Sequence, residues 1–189
     1  MPNRSRRLPL SPRRNQRLLE PARFYTPPIG GVADARMHAN LPADLGPEEL
    51  KMGETRTGSC MCGKVQYVVP RDMKTAAKCH CQMCQKSTGT SNFTAAVYGI
   101  DDLKITGDLK SYRYTSDAGN SVTHHFCPNC GSKIFITNPT AFPGLALVFA
   151  GSLDDSHDLV PQFVVFNRRR PAWDGDNPDI PHFPGMPPS

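Results

Sequence analysis

Three short cysteine clusters constrain this chain more than any other feature of its sequence. They hold all seven cysteines of the 189 residues: Cys60 and Cys62 in GSCMCGK, Cys79, Cys81 and Cys84 in CHCQMCQK, and Cys127 and Cys130 in FCPNCGS. Thiolates two or three residues apart on a tight turn can reach one ion at about 2.3 Å, and Gly63 and Gly131 permit such turns directly after two of the clusters. The spacing therefore predicts zinc binding.

Disulfide bonds are the alternative use of these cysteines. An odd number leaves one thiol over, and a bond from Cys60 to Cys62 or from Cys79 to Cys81 would close a small, strained ring. The sequence has no apolar signal-peptide core and no run of about 18 apolar residues. We therefore expect an intracellular protein in a reducing compartment, where structural disulfides are rare.

Seven thiolates are enough for one closed site of four ligands and one open site of three. In the first partition, the CxC and CxxC pairs make the closed site and CxCxxC makes the open one. In the second, Cys81 and Cys84 join Cys127 and Cys130, which leaves Cys60, Cys62 and Cys79 together. The spacing rules do not exclude either partition.

The fold class follows from short runs of alternating apolar and polar residues. These runs predict strands at KVQYVV (64–69), TAAKCH (75–80), FTAAVY (93–98), LKIT (103–106), KSYRYT (110–115), SVTHHF (121–126), SKIFIT (132–137), LALVFAG (145–151) and QFVVF (162–166). Turn residues divide them at short intervals, which favours a mainly β protein with antiparallel sheets. The stretch QMCQKSTG (82–89) interrupts the rhythm, and we expect a single helical turn or a loop there.

The ends of the chain differ from its middle in composition. Residues 1–53 are rich in arginine and proline and predict a disordered extension, with a short helix at Gly46 to Met52. Residues 54–189 predict one zinc-binding β domain with a proline-rich C-terminal segment. The net charge is +5, and residues 1–33 contribute +6 of it through seven arginines and one glutamate, so the remainder carries −1. A nucleic-acid partner of the folded body is not expected, and neither is a membrane.

The extension also bears on localisation. It is basic and nearly free of acidic residues, as mitochondrial presequences are, but its prolines interrupt any long amphipathic helix. We expect a cytoplasmic protein, with mitochondrial import as the alternative.

Several motifs together carry a resemblance to a known family. GSCMCGKVQY, KCHCQMCQKSTGT and FCPNCGSKIF, followed by GSLDD and DIPHFPGMPP, resemble the glutathione-dependent formaldehyde-activating enzyme family, which includes the centromere protein V domain. The resemblance covers about Thr57 to Pro188. It implies two antiparallel sheets in a β-tent arrangement with two Zn²⁺ ions per chain. By matching positions, it implies a structural zinc on Cys60, Cys62, Cys127 and Cys130, and a catalytic zinc on Cys79, Cys81 and Cys84.

The resemblance also implies an activity. The family's nominal reaction joins glutathione and formaldehyde as S-hydroxymethylglutathione, so we expect a zinc-dependent carbon-sulfur lyase or synthase. Its substrate would be glutathione, a glutathione-type thiol adduct or a related small carbonyl compound. The alternative is a non-catalytic, zinc-stabilised binding module whose basic N-terminal tail engages nucleic acid or an acidic partner.

Substrate contacts are expected in the loop that follows Cys84. Lys86 supplies a positive charge, Ser87 and Thr88 supply hydroxyls, and Gly89 permits close backbone approach. His80 lies between two ligands, and strand alternation predicts that it points away from the metal.

Other polar and aromatic residues are weaker candidates. His124 and His125 should face opposite sides of their strand. Arginines 168–170 could hold substrate carboxylates. Trp173 and Phe183 are expected to pack the C-terminal segment onto the body.

Overall fold

A computed structural model describes residues 55–175 and 177–188. The predicted extension 1–53, its short helix and its basic charge lie outside the described residues. In the described part of the chain, no helix combines the length and the hydropathy that crossing a membrane requires.

Within the described ranges, ten strands and one α-helix make up the fold. They are β1 (Thr55–Ser59), β2 (Gln66–Pro70), β3 (Thr75–Cys79), α1 (Gln82–Thr88), β4 (Phe93–Gly99), β5 (Lys104–Thr106), β6 (Lys110–Thr115), β7 (Ser121–Phe126), β8 (Lys133–Thr137), β9 (Leu145–Phe149) and β10 (Phe163–Val165). Each of the nine predicted strands is present, with small differences at the ends. The sequence analysis missed β1, whose residues TRTGS carry little β-branched apolar character.

The strands form two sheets. The smaller has the order β1-β2-β5, and the larger has the order β10-β3-β4-β9-β8-β7-β6. The expectation of antiparallel sheets holds for every pair but one, because β10 runs parallel to β3 with Val165 opposite Cys79. A parallel neighbour needs a crossover connection, and the chain between β9 and β10 supplies it.

Strand β4 of the larger sheet is buried on both faces. Ala96 and Tyr98 belong to the apolar core that also contains Val65, Tyr67 and Val69. Tyr67 and Val69 lie on β2 of the smaller sheet, and Val65 directly precedes that strand. Phe93, Ala95 and Val97 alternate with them and belong to a second apolar cluster, which includes Cys84 of α1. The period-two alternation of β4 therefore packs the smaller sheet on one side and a cysteine cluster on the other.

Candidate metal centres

Two turns of the same kind bring Cys60 and Cys62 together with Cys127 and Cys130, in a group that we call the four-cysteine cluster. In one turn the Cys60 N–H donates to the Val65 carbonyl at 2.9 Å, and Gly63 follows with φ 72°. In the other, the Cys127 N–H donates to the Ser132 carbonyl at 3.0 Å, and Gly131 follows with φ 76°. Both glycines adopt the left-handed conformation that a tight turn after a cysteine requires. These turns bring residues more than 60 positions apart to one place.

The sulfur positions of this cluster fit a tetrahedral ion. The four sulfurs of Cys60, Cys62, Cys127 and Cys130 lie within 4.8 Å of one another. The Cys60 and Cys62 sulfurs are 3.5 Å apart, and those of Cys62 and Cys127 are 3.8 Å apart. Metal-sulfur bonds of about 2.3 Å in tetrahedral geometry place sulfurs about 3.8 Å apart. This group can therefore hold a metal ion.

Hydrogen bonds favour thiolates at the outer positions of the same cluster. The Ser132 side chain and backbone N–H lower the pKa of Cys130 to about 5, and the Lys64 backbone N–H lowers the pKa of Cys62. Burial raises the pKa of Cys60 to about 11. A buried thiol of this kind ionises readily only when a cation compensates its charge, as a metal ion would.

The second cluster lies where β3 ends and α1 begins. Cys79 is the last residue of β3, Cys81 is the N-cap of α1, and Cys84 is buried on the first turn of the helix. The Cys81 sulfur accepts the Cys84 backbone N–H at 3.4 Å, so a ligand-type side chain itself caps the helix. The helix spans seven residues and is longer than the single turn expected from sequence, because this cap and the left-handed Gly89 complete both ends.

The three sulfurs of this cluster compete for protons. They lie within 4.8 Å of one another, and the described residues offer no fourth histidine, cysteine or carboxylate to the group. The thiols of Cys79 and Cys84 donate to Cys81 and lower its pKa to about 2, while the same contacts raise the pKa of the other two thiols. Three thiolates so close together need a cation, which makes this group a second candidate metal site.

A polar network holds the surroundings of the three-cysteine cluster. The Gln85 side-chain amide donates to the His80 carbonyl at 2.8 Å and to the Arg169 carbonyl at 2.9 Å. The His80 ring is 1% exposed, and its Nδ1 lies 3.0 Å from the Ser91 carbonyl oxygen. Its Nε2 lies 3.6 Å from Oδ2 of Asp174. His80 therefore contacts the C-terminal segment and stays outside the cysteine group, as strand alternation predicted.

Aromatic rings line the sheet beside the three-cysteine cluster. Tyr114, partly buried, packs on the apolar cluster that contains Cys84, and its ring centroid is 5.4 Å from that of His124. His124 in turn lies 6.1 Å from Phe149, and burial lowers the pKa of this histidine to about 4. His125 faces the other side and stacks on Phe135 at 4.1 Å, which confirms the predicted alternation. The wall near the cluster is thus aromatic and uncharged.

The predicted substrate residues follow the cluster on α1, where most have local partners. The Ser87 hydroxyl donates to the Cys84 carbonyl at 3.0 Å, and the Thr88 hydroxyl donates to the same carbonyl at 2.9 Å. Gly89 is the C-cap with φ 68°, and Lys86 is exposed. Their contacts with a substrate stay a prediction.

The C-terminal candidates have mixed outcomes. Arg169 forms an ion pair with Asp117 at 3.1 Å, which brings the turn after β10 to the hairpin of β6 and β7. Phe183 lies edge-on to Phe163 with centroids 6.3 Å apart, as expected for a packing residue. The prediction for Trp173 was wrong, because its side chain is 73% exposed. The adjacent Asp174 contacts the body instead, since its Oδ2 lies 3.6 Å from Nε2 of His80.

Sequence reasoning missed three residues around the cluster. Gln85 of α1 and Asp174 of the C-terminal segment contact His80, which lies between Cys79 and Cys81, and Tyr114 of β6 packs on the apolar cluster that contains Cys84. Gln85 is close in sequence to the cysteines, and helical spacing could have placed it on the inner side of α1. Tyr114 and Asp174 had no local signal, since their approach depends on the topology of the sheet.

Comparisons with known proteins agree with the motifs. The family model described as glutathione-dependent formaldehyde-activating enzyme matches residues 55–169. A Halomonas elongata protein that carries the same family name is 27% identical over 122 residues, which cover 61% of this chain and 77% of that protein. A crystal structure of a Rhodobacter sphaeroides protein has a TM-score of 0.43 and 21% identity, and the likeness covers 67% of this chain and 98% of that one. The matched range contains both cysteine clusters.

Proposed function

Because the chain belongs to the glutathione-dependent formaldehyde-activating enzyme family, we propose that it is a zinc-dependent carbon-sulfur lyase or synthase. Its substrate would be a glutathione-type thiol adduct or a related small carbonyl compound. The Halomonas relative carries the name of this activity, and the family model carries the same description.

The three-cysteine cluster is the observation that carries this proposal. Cys79, Cys81 and Cys84 form a group of three sulfurs that no fourth ligand residue joins within the described ranges. Three protein ligands and one open coordination position are the usual arrangement of a catalytic zinc, whereas structural zinc has four ligands. The group of four formed by Cys60, Cys62, Cys127 and Cys130 matches the structural arrangement.

The reaction asks little of the protein beyond this cluster. A zinc ion held by three thiolates would supply a Lewis-acid position for a substrate sulfur or oxygen. In the synthase direction, the thiol sulfur forms a bond to the carbonyl carbon, the π electron pair moves to oxygen, and the thiol proton is released while the oxygen gains one. The lyase direction is the reverse. The protein must therefore orient the two reactants and stabilise the oxygen as its charge develops.

The neighbouring residues support this chemistry by their charge and polarity. Lys86 is exposed one turn of α1 beyond Cys81 and would attract an anionic thiol substrate toward the cluster. The rings of Tyr114, His124 and Phe149 pack on one another on the sheet side.

Elemental analysis of zinc in chain purified without chelator is the first test. We expect two zinc ions per chain in the wild type and one in Cys81→Ser, because the loss of one of three ligands removes the open site only. Met83→Ser lies between two ligands on the same helix and is the control, which should keep both ions. A wild-type zinc content that Cys81→Ser leaves unchanged would contradict the proposal.

Activity follows from the same variants. Exchange NMR measures the rate at which glutathione and formaldehyde form S-hydroxymethylglutathione. The wild type and Met83→Ser should both raise this rate above the uncatalysed rate. Cys81→Ser should give the uncatalysed rate. If two zinc ions are present and neither this pair nor other thiol and aldehyde pairs react faster than in buffer, the lyase assignment fails.

A further inference from the structure

His80 joins Cys79 to Cys81, and hydrogen bonds hold its backbone on both sides. Its N–H donates to the Val165 carbonyl at 3.1 Å, which extends the contact between β3 and β10 by one residue. Its carbonyl accepts a hydrogen bond from the Gln85 side-chain amide at 2.8 Å. The course of the backbone between two of the three sulfurs is therefore set by partners of His80.

The His80 ring is fixed as well. It is 1% exposed, and its Nδ1 donates to the Ser91 carbonyl oxygen at 3.0 Å, since a carbonyl can only accept. Its Nε2 lies 3.6 Å from Oδ2 of Asp174, whose side chain is 14% exposed. These two buried atoms make no hydrogen bond within the described residues. Each therefore depends on the other for a polar contact.

The chain that follows β10, residues 166–174, supplies partners for both the amide and the ring. The second hydrogen of the Gln85 amide goes to the Arg169 carbonyl, with a donor-acceptor distance of 2.9 Å. Asp174 lies on a loop that the Arg170 side chain closes by donating to the Asp174 carbonyl at 2.8 Å. Both contacts with the cysteine-bearing segment thus come from one short, hydrogen-bonded stretch.

Phe166 makes the turn that brings this stretch to α1. Its φ of 55° lies in the left-handed region, which is unusual for a residue other than glycine. Its N–H donates to the Gly185 carbonyl at 3.0 Å, and its own carbonyl accepts the Arg169 N–H at 2.9 Å. Such a conformation persists only where neighbouring contacts hold it. The position of Arg169 against α1 is therefore maintained by the C-terminal segment itself.

We propose that Gln85 and Asp174 are positioning residues, which dock the chain after β10 onto His80 and so fix the direction of the two sulfurs on either side of it. This inference rests on the part of the proposed function that assigns a metal to the three-cysteine cluster. Loss of a contact behind a metal ligand typically lowers metal affinity by about 10- to 100-fold. The hydrogen bonds of Gln85 and His80 reach no residue of the four-cysteine cluster. The effect should therefore be confined to one of the two sites.

Zinc competition with a chromogenic chelator tests the role of Gln85 and uses both sites of the same chain. The wild type should release zinc in two steps, and the step that Cys81→Ser lacks belongs to the three-cysteine cluster. Gln85→Met keeps a similar volume without the amide. We expect it to weaken zinc binding at that cluster by about tenfold and to leave the four-cysteine cluster at wild-type affinity. Gln82→Met, at an exposed position of the same helix, is the matched control and should release both ions as the wild type does.

A second control separates positioning from a general loss of stability. Asp158→Asn breaks the ion pair of 2.6 Å that Asp158 forms with Arg56 of β1. Under conditions in which the variant is folded, it should leave the zinc affinity of the three-cysteine cluster unchanged. An equal loss of affinity at this cluster in Asp158→Asn and Gln85→Met would overturn the positioning role.

Asp174 has its own test, in which a conservative variant restores the contact. Asp174→Ala removes the polar group that faces Nε2 of His80, and zinc binding at the three-cysteine cluster should weaken by about tenfold. An amide can donate or accept a hydrogen bond, so Asp174→Asn offers Nε2 a partner whether or not this nitrogen carries a proton. It should restore most of the wild-type affinity. Equal affinities of the alanine and asparagine variants would contradict the role of Asp174.

The outcomes separate this inference from the proposed function. If the wild type holds two zinc ions, and Gln85→Met and Asp174→Ala keep wild-type affinity at both sites, the positioning role is overturned while the proposed function stands. If the wild type binds zinc at the four-cysteine cluster alone, the proposed function fails, and the positioning role fails with it.

Discussion

Residues of the same type have different environments here because neighbours on a strand face opposite sides. His124 is enclosed by Tyr114 and Phe149, and burial lowers its pKa to about 4, whereas His125 stacks on Phe135. The sequence could predict that the two histidines separate, since alternation is a local property of a strand. It could not predict which of them lies beside the three-cysteine cluster, because that depends on the packing of α1 on the sheet.

The Gln85 side chain connects two distant backbone segments, so its contribution to the stability of the domain can be tested. Its amide donates to two backbone carbonyls, His80 and Arg169, that belong to segments 89 positions apart. Gln85→Met keeps a similar volume and leaves both carbonyls without this donor, which we expect to cost about 2 kcal/mol of the free energy of unfolding. Denaturant unfolding measures the loss, and limited trypsin digestion should show faster cleavage after Arg168 and Arg169.

Gln82→Met is the control for that experiment, since Gln82 is exposed on the same helix. It should change the unfolding free energy by less than about 0.5 kcal/mol. Equal stability of the two variants would mean that the Gln85 contacts contribute nothing measurable.

The elements around the cysteines depend on backbone conformations that glycine supplies. The turns after Cys60 and Cys127 are closed by glycines with positive φ, and α1 ends at one. The sequence indicated the first two through CGK and CGS, because glycine after a cysteine pair is a local signal. The sequence predicted a shorter α1, since cysteine is not among the residues that usually cap a helix N-terminus.

Gly107 packs closely against the turn that follows Cys60, which leads to a prediction about its replacement. Gly107 has φ 93°, and a Cβ atom there would overlap the carbonyl oxygen of Lys64, inside the Cys60 turn. Gly107→Ala should therefore lower the free energy of unfolding by roughly 3 kcal/mol or more, from strain and overlap together. It should also weaken zinc retention at the four-cysteine cluster, measured by competition with a chromogenic chelator.

Gly119→Ala separates the two causes. Gly119 has φ 80°, and nothing lies within 4 Å of the Cβ position. Strain alone should cost about 1 kcal/mol there, with zinc retention unchanged. If both variants behave alike, the overlap with Lys64 has no effect.

At the scale of the whole domain, long-range ion pairs connect the beginning of the described chain to the connection before β10. Arg56 on β1 is buried and forms a bidentate pair with Asp158 at 2.6 and 2.9 Å. Its Nε also donates to the Arg71 carbonyl at 2.9 Å. Arg71 contacts the same carboxylate from the surface at 3.1 Å. A buried guanidinium of this kind depends on its carboxylate far more than an exposed one does.

Asp158→Asn tests this connection. Removing the carboxylate leaves the Arg56 charge buried without its counterion, so we expect Tm to fall by roughly 5 °C at pH 7. Arg56 lowers the pKa of Asp158 to about 2, so the wild-type advantage is present above the unfolded pKa of about 4 and is lost as the pH falls through 2. Differential scanning calorimetry across this range measures both.

The exposed partner serves as the comparison. Arg71→Ala removes the surface contact with the same carboxylate and should change Tm by about 1 °C or less. A larger effect from Arg71→Ala than from Asp158→Asn would contradict the importance of the buried pair.

Features that depend on short-range patterns could be predicted from the sequence alone. Period-two alternation located nine strands, cysteine spacing with glycine turns indicated metal binding, and the motifs indicated the family. The sequence left two partitions of the seven cysteines open, and only the tertiary structure grouped four of them apart from Cys79, Cys81 and Cys84. The parallel pairing of β10 with β3 and the packing of Tyr114 on the apolar cluster that contains Cys84 were likewise decided there. The physical reason is that turn and strand preferences act over a few residues, whereas these contacts join residues tens of positions apart through sheet order and register.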